Sequence, residues 1–266
     1  MTDRLFNLTG RVAVVSGAAG GMGRATALAL AEHGADLLLV DLNSQRLAQT
    51  ALEVSAMGRR VIPLTCDVSN PERIAELFAT LDREFGRIDF LANIAGEGLQ
   101  VRPEDVTAEQ LQQVFQNLVF GRFRMCQEAG RRMSAAGRGS ILNIGSLASV
   151  TALGRGHIVY SMAMGAVVQM TRELSTEWAS RGIRVNAILP AQVDNAGIQK
   201  RIAADPSIEQ KWLSGIPIGR LGQPTDIQGL AVLLASDASS WITGAIIPMD
   251  GGNLAMNAGG TIGKPV

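Results

Sequence analysis

Short runs rich in Val, Ile and Leu alternate along this chain with longer stretches in which apolar residues return every three or four positions. The short runs predict buried strands and the longer ones predict amphipathic helices. Strands are expected at 11–16, 36–40, 60–66, 88–93, 140–146, 183–189 and 245–248. Helices are expected at 22–33, 44–57, 70–85, 107–136, 158–181 and 224–236, with a polar helical stretch at 195–212. Local signals punctuate the pattern. Gly34, Gly58 and Gly86 follow helix ends, Ser44 and Asn70 read as N-caps, and Pro71 suits a first helical position. Strand–helix alternation of this kind predicts an α/β fold, with one doubly wound parallel sheet flanked by helices.

Composition sharpens this picture. Of 266 residues, 47% are hydrophobic but only 4% aromatic, so the core must be aliphatic. The length suits one α/β domain over 1–266, with about 190–225 as a substrate loop or lid and 251–266 as an irregular tail. The 24 basic and 24 acidic residues cancel, which argues against a nucleic-acid partner. Cys66 and Cys126 form neither a metal pattern nor a disulfide framework, and Cys66 reads as a buried small hydrophobe. No apolar run is long enough to span a bilayer, and the first ten residues lack a signal-type apolar stretch. No metal, no membrane partner and a cytoplasmic location are the expectations.

Between the first strand and first helix runs Ser16-Gly17-Ala18-Ala19-Gly20-Gly21-Met22-Gly23. Gly17 permits a tight turn, Gly21 lets backbone approach a phosphate, and Gly23 lets helix and strand pack closely. The helix N-terminus then offers free N–H groups to a pyrophosphate. This is the dinucleotide-binding context of the Rossmann type, completed by Asp41, 18 residues beyond Gly23. A carboxylate there accepts from the adenosine ribose and repels a 2′-phosphate. Neither Leu42 nor Gly20 offers such a phosphate any charge, so NAD is expected over NADP.

The spacing Gly17, Gly21, Gly23, taken with later landmarks, resembles the short-chain dehydrogenase/reductase family over nearly the whole chain. By that resemblance Asp67 and Val68 meet the adenine ring, and Asn93-Ile94-Ala95-Gly96 matches a cofactor segment through Asn93, Ala95 and Gly96. Met22, Leu42, Pro190 and Val193 join the expected cofactor contacts. Asn117, Ser146 and Tyr160 fall where the family keeps its catalytic Asn, Ser and Tyr. Arg220-Leu221-Gly222 and Asp250-Gly251-Gly252 match C-terminal landmarks. Three departures stand out: Met164 occupies the family's lysine position, Pro190-Ala191 replaces Pro-Gly with Asn195 at a common Thr position, and Ser146 and Tyr160 are 14 apart, one more than expected.

The implied reaction is hydride transfer between a secondary alcohol carbon and nicotinamide. Tyr160 moves the proton at the oxygen, Ser146 holds that oxygen, and Asn117 positions a water. A lysine at 164 would favour the phenolate and bind the nicotinamide ribose; Met164 does neither. An ordinary tyrosine is only about 0.1% ionised at pH 7, so impaired turnover is expected. The Met is either natural or an introduced Lys→Met substitution, and a catalytically silent dinucleotide-binding or scaffold homologue is the alternative. Arg155, His157 and Gln192 are candidate substrate contacts. With Glu97, Gln100, Arg102 and Asn195 they make a polar mouth, suited to a sugar, sugar acid or polyol. The family resemblance, with apolar surplus at Val119, Phe120, Phe123, Val167 and Met170, implies a homotetramer or homodimer.

Overall fold

The computed structural model describes residues 4–256. Seven strands, β1 (Val12–Ser16), β2 (Asp36–Asp41), β3 (Val61–Thr65), β4 (Phe90–Asn93), β5 (Gly139–Ile144), β6 (Ile183–Pro190) and β7 (Ile246–Met249), form one sheet. Its order is β3-β2-β1-β4-β5-β6-β7 and every pairing is parallel. The order reverses between β1 and β4, which opens a crevice at the carboxyl ends of the strands. The fold expected from the alternating pattern is the fold observed.

Alternation along each strand divides the core between the two faces. Ala13, Val15, Leu37 and Leu39 pack with α1 (Gly21–Glu32) and α2 (Ser44–Ala56) through Ala27, Leu30, Leu47 and Val54. Val12, Val14, Leu38 and Val40 face the other way, onto Ile74, Leu77 and Phe78 of α3 (Pro71–Glu84) and Met125 and Met133 of α5 (Arg122–Ala136). Both faces are therefore dry, which is why the strands read as continuous apolar runs. The outermost strands each carry a proline, Pro63 on β3 and Pro248 on β7.

Several boundaries move for local reasons. Asn43, not Ser44, caps α2, its Oδ1 accepting from the Arg46 N–H at 3.0 Å. Asn70 caps α3 as expected. β5 stops at Ile144 because Ser146 turns back to accept from the Ala148 N–H and caps a short 3-10 turn, Leu147–Ser149. The polar stretch forms two helices, α7 (Ala196–Ala204) and α8 (Ser207–Leu213), separated at Asp205-Pro206.

The largest difference lies in the expected helix 107–136. It begins as α4 (Ala108–Phe115), widens into a π-helical segment over Gln116–Gly121, and resumes as α5. Gly121 makes this possible: a Cβ there would lie 2.0 Å from the Val68 carbonyl oxygen. Tyr160 sits near the start of α6 (Ile158–Trp178), and α9 (Gln228–Ala235) packs against α1 and β5. Of the glycine-rich tail, 251–256 form turns and the remainder lies outside the described residues. No helix among the described residues is long and apolar enough to cross a membrane.

Candidate active site

The glycine loop has the shape its sequence demands. Gly17 has φ +74°, and a Cβ on it would lie 3.0 Å from the Ala95 nitrogen. A Cβ on Gly23 would fall 2.0 Å from the Gly17 carbonyl oxygen, so loop and helix touch backbone to backbone. Gly21 faces open space, and N-cap Gly20 offers no side chain to the first turn of α1. That turn keeps free N–H groups beside a vacant approach, and it fits a pyrophosphate. Ser16 ties the loop to the next strand end: its Oγ donates to Ala92 O and accepts from the Ile94 and Ala95 N–H groups.

At the end of β2, Asp41 spends both oxygens on backbone. Oδ2 accepts from the Ala19 N–H at 3.0 Å and Oδ1 from the Asn43 N–H at 2.9 Å. Leu42 is exposed. Across from Asp41 the Arg46 guanidinium lies over Gly20, with Nη2 2.6 Å from where a Cβ would stand. A cation from the first turn of α2 thus borders the glycine loop.

The remaining expected cofactor positions divide between surface and core. Asp67 Oδ1 accepts from both the backbone and hydroxyl of Ser69. The Asn93 side chain turns inward instead: Nδ2 donates to Asn143 Oδ1 at 3.0 Å, and Asn143 donates onward to Thr171 Oγ1. This buried chain ties β4, β5 and α6 together. Pro190 closes β6, and Val193 bridges to Gly222.

Beyond the β4–β6 ends lies a cavity of about 430 Å³. Ser146, Tyr160, Met164 and Gln192 line it, as do Met22, Gly96, Pro190 and Val193. Asn117 does not. It sits on the π-helical segment with its Oδ1 near Gly96, while Leu118 and Arg122 face the cavity. The Tyr160 ring rests against Gly98, where a Cβ would meet Cδ2 at 2.5 Å. Met164 is buried in an apolar cluster with Val114, Leu118, Val159 and Val167.

The cavity wall is cationic. Arg122, Arg155 and Arg201 line it beside His157, and among the described residues no Asp or Glu does. Arg155 is the only non-glycine with positive φ among the described residues, at +57°, between Gly154 and Gly156 that are left-handed too. Such a conformation costs about 1 kcal/mol or more and is kept where surroundings over-determine it. Here the loop is clasped: the Val101 N–H donates to Gly156 O at 2.9 Å, and Gln100 Nε2 lies 2.8 Å from His157 Nε2. Burial, then Arg155 and Arg201, hold His157 below its ordinary 6.5. Gln192 Oε1 and Trp212 Nε1, on two more lining residues, are buried without a hydrogen-bond partner. Among the described residues, no group of His, Cys, Asp or Glu could hold a metal ion.

A family model described as enoyl-(acyl carrier protein) reductase matches residues 17–253. Solved structures share the architecture, among them a short-chain type dehydrogenase/reductase from Mycobacterium marinum, with TM-score 0.85, 31% identity and 94% and 97% of the two chains covered. The chain belongs to the short-chain dehydrogenase/reductase superfamily. This reductase-family chain is 38% identical over 250 residues to an NAD-dependent glycerol dehydrogenase of Listeria innocua, covering 94% of this chain and 96% of the relative. It is 39% identical to a 2-dehydro-3-deoxy-D-gluconate 5-dehydrogenase of Bacillus subtilis, covering 94% and 97%.

The expected preference of this dehydrogenase/reductase for NAD over NADP is corrected. A gluconate 5-dehydrogenase from Burkholderia cenocepacia, 28% identical with TM-score 0.89 and 95% and 98% coverage, is solved in complex with NADP and tartrate. Structures from Beutenbergia cavernae and Agrobacterium tumefaciens, 34% and 30% identical, also hold NADP. The physical reason lies in Arg46. Neither Leu42, beside Asp41, nor Gly20 in the loop carries a charge, but the guanidinium over Gly20 arrives from the next helix. Arg46, Gly98, Leu118, Arg122 and Arg201 are the site residues that the sequence reading missed. Arg122 alone left a trace, as a charge in the apolar phase that holds Leu118, Met125 and Ala129.

Proposed function

We propose that this chain interconverts a secondary hydroxyl and a ketone on a sugar acid, using NAD(P) and with turnover lowered by Met164. The carrying observation is a single cavity that holds Ser146, Tyr160 and three arginines, with no carboxylate among its described lining residues. A neutral polyol gives those arginines nothing to pair with. A substrate carboxylate does, in charge-assisted hydrogen bonds roughly twice as strong as neutral ones. Arg155 and Arg201 at the mouth are the groups that would receive it.

When bound, the nicotinamide supplies the hydride acceptor or donor. Tyr160 moves the proton at the substrate oxygen. The Ser146 hydroxyl holds that oxygen and stabilises charge developing on it. Gln192 Oε1, still unpaired, can accept from a substrate hydroxyl. The oligomer expected is a dimer or tetramer, since Phe120, Phe123, Ile158 and Met162 are exposed around α5 and α6. Light scattering on the purified protein checks it.

The test of function is reduced-cofactor formation over a panel of aldonates and neutral polyols, with the native chain and Met164→Lys. Turnover on an aldonate, raised at least about tenfold by the lysine, is expected. Turnover on polyols alone overturns the substrate class. The burial of Met164 among aliphatic side chains favours a second reading, a dinucleotide-binding protein without turnover. That reading wins if both forms bind cofactor and neither turns over any substrate.

A further inference from the structure

The loop that follows β4 touches two rings of the active-site cavity. Gly98 lies against the Tyr160 phenol, and Gln100 meets the His157 imidazole. Gln100 Nε2 stands 2.8 Å from His157 Nε2 and 3.4 Å from the Arg155 carbonyl oxygen. A backbone carbonyl can only accept, so the amide presents its NH2 there and not its oxygen. The two hydrogens of that one nitrogen then serve two acceptors, Arg155 O and His157 Nε2. A ring nitrogen that accepts carries no proton, so the single proton of the neutral imidazole stands on Nδ1.

Backbone on both sides holds this arrangement. The Val101 N–H donates to Gly156 O at 2.9 Å, and the Ser161 N–H donates to the His157 carbonyl at 2.8 Å as α6 begins. His157 Nδ1 has no partner among the described residues, and unlike Gln192 Oε1 and Trp212 Nε1 it is not sealed from solvent. The ring lines the cavity, with its centroid 6.0 Å from that of Tyr160.

We propose that Gln100 is a positioning residue that fixes His157 as the Nδ1–H tautomer, and that this neutral imidazole donates to a substrate hydroxyl oxygen near the one Tyr160 serves. Only the substrate contact rests on the proposed reaction; the tautomer follows from hydrogen bonds within the protein. Arg155 and Arg201 carry charge and suit a carboxylate. His157 adds a donor without charge, which suits a hydroxyl. A sugar acid offers both groups, so His157 reads the hydroxyl pattern that a plain carboxylate lacks.

The chain has two histidines, so nitrogen NMR separates His157 from His33, with His157→Asn giving the assignment. The spectrum is taken on the full-length protein at about pH 8, without substrate, where a ring held below 6.5 is neutral. Native protein is expected to show an unprotonated Nε2 and a protonated Nδ1. Gln100→Met releases the ring and should cut the Nδ1–H share at least about threefold. Gln100→Glu, whose carboxylate only accepts, should put the proton on Nε2. A native Nε2–H form overturns the proposal, and so does a tautomer that Gln100→Met leaves unmoved. A merely structural Gln100 would change loop stability and not the tautomer. Steady-state kinetics on an aldonate test the contact: in Gln100→Met, KM should rise at least about threefold with kcat within about twofold. A KM that stays put while the tautomer changes overturns the contact. Absence of turnover on every substrate overturns the proposed reaction and the contact with it, whereas the tautomer stands or falls by the spectrum.

Discussion

Gly98 faces the Tyr160 ring so closely that a Cβ on residue 98 would lie 2.5 Å from Cδ2. The loop after β4 thereby sets where the phenol stands. Gly98→Ala must push the ring aside, and displacements of about 1 Å at a reacting group cost up to about a hundredfold. Turnover is expected to fall at least about tenfold, with the melting temperature within a few degrees of native. Steady-state kinetics beside a thermal melt checks both; unchanged turnover would show that the ring yields freely.

Arg46 is expected to matter to one cofactor more than the other. Removing a charge-assisted hydrogen bond costs roughly 1.5–3 kcal/mol, so Arg46→Ala should weaken NADP at least about tenfold. NAD binding should change less than about threefold, since it brings no phosphate to that corner. Calorimetric titration of both cofactors settles the ratio. Equal losses would mean that Arg46 supports only the loop.

The chain has two histidines, so His157 can be followed by proton NMR. Burial first, then Arg155 and Arg201, keep it below 6.5. The unfolded chain therefore takes up this proton first, and His157 lowers stability as pH drops through about 6.5. Arg155→Ala and Arg201→Ala should each raise its midpoint and soften that acid loss. A midpoint that stays put in both variants would leave burial as the sole cause.

Gly121→Ala sets two effects against each other. Alanine improves helix propensity by about 1 kcal/mol. Its Cβ would stand 2.0 Å from the Val68 carbonyl oxygen, so α5 must part from the loop after β3. Overpacking of this kind costs about 1–3 kcal/mol, occasionally more, and the clash is with backbone. A net loss of about 2 kcal/mol in denaturant unfolding is expected, with weaker cofactor binding because Asp67 and Val68 shift together.

The sheet and the glycine loop were legible because their causes are local: strand runs, a glycine turn, Asn70 ahead of Pro71. The active-site wall was not. The π-helical segment at Gln116–Gly121 keeps the apolar composition of the helix and changes only its phase, and Leu118 and Arg122 face the cavity. The Asn93 side chain is committed to Asn143, 50 residues away, a partner that the local sequence does not announce. The arginine over Gly20 and Arg201 at the mouth come from helices distant in sequence. Charge near a ligand is a tertiary quantity, and neighbours along the chain do not report it.

Pro63 and Pro248 have a consequence for how copies of this chain can meet. On β3 the Cys66 N–H points inward, donating to Asp41 O, so by alternation residue 63 points outward. On β7 the Ala245 and Met249 carbonyls point inward, accepting from Ala187 and Ala191, so residue 248 also points outward. Each rim thus lacks a donor midway along its free edge. Another strand arriving at either side finds an interrupted ladder, and the seven-stranded sheet stays finite.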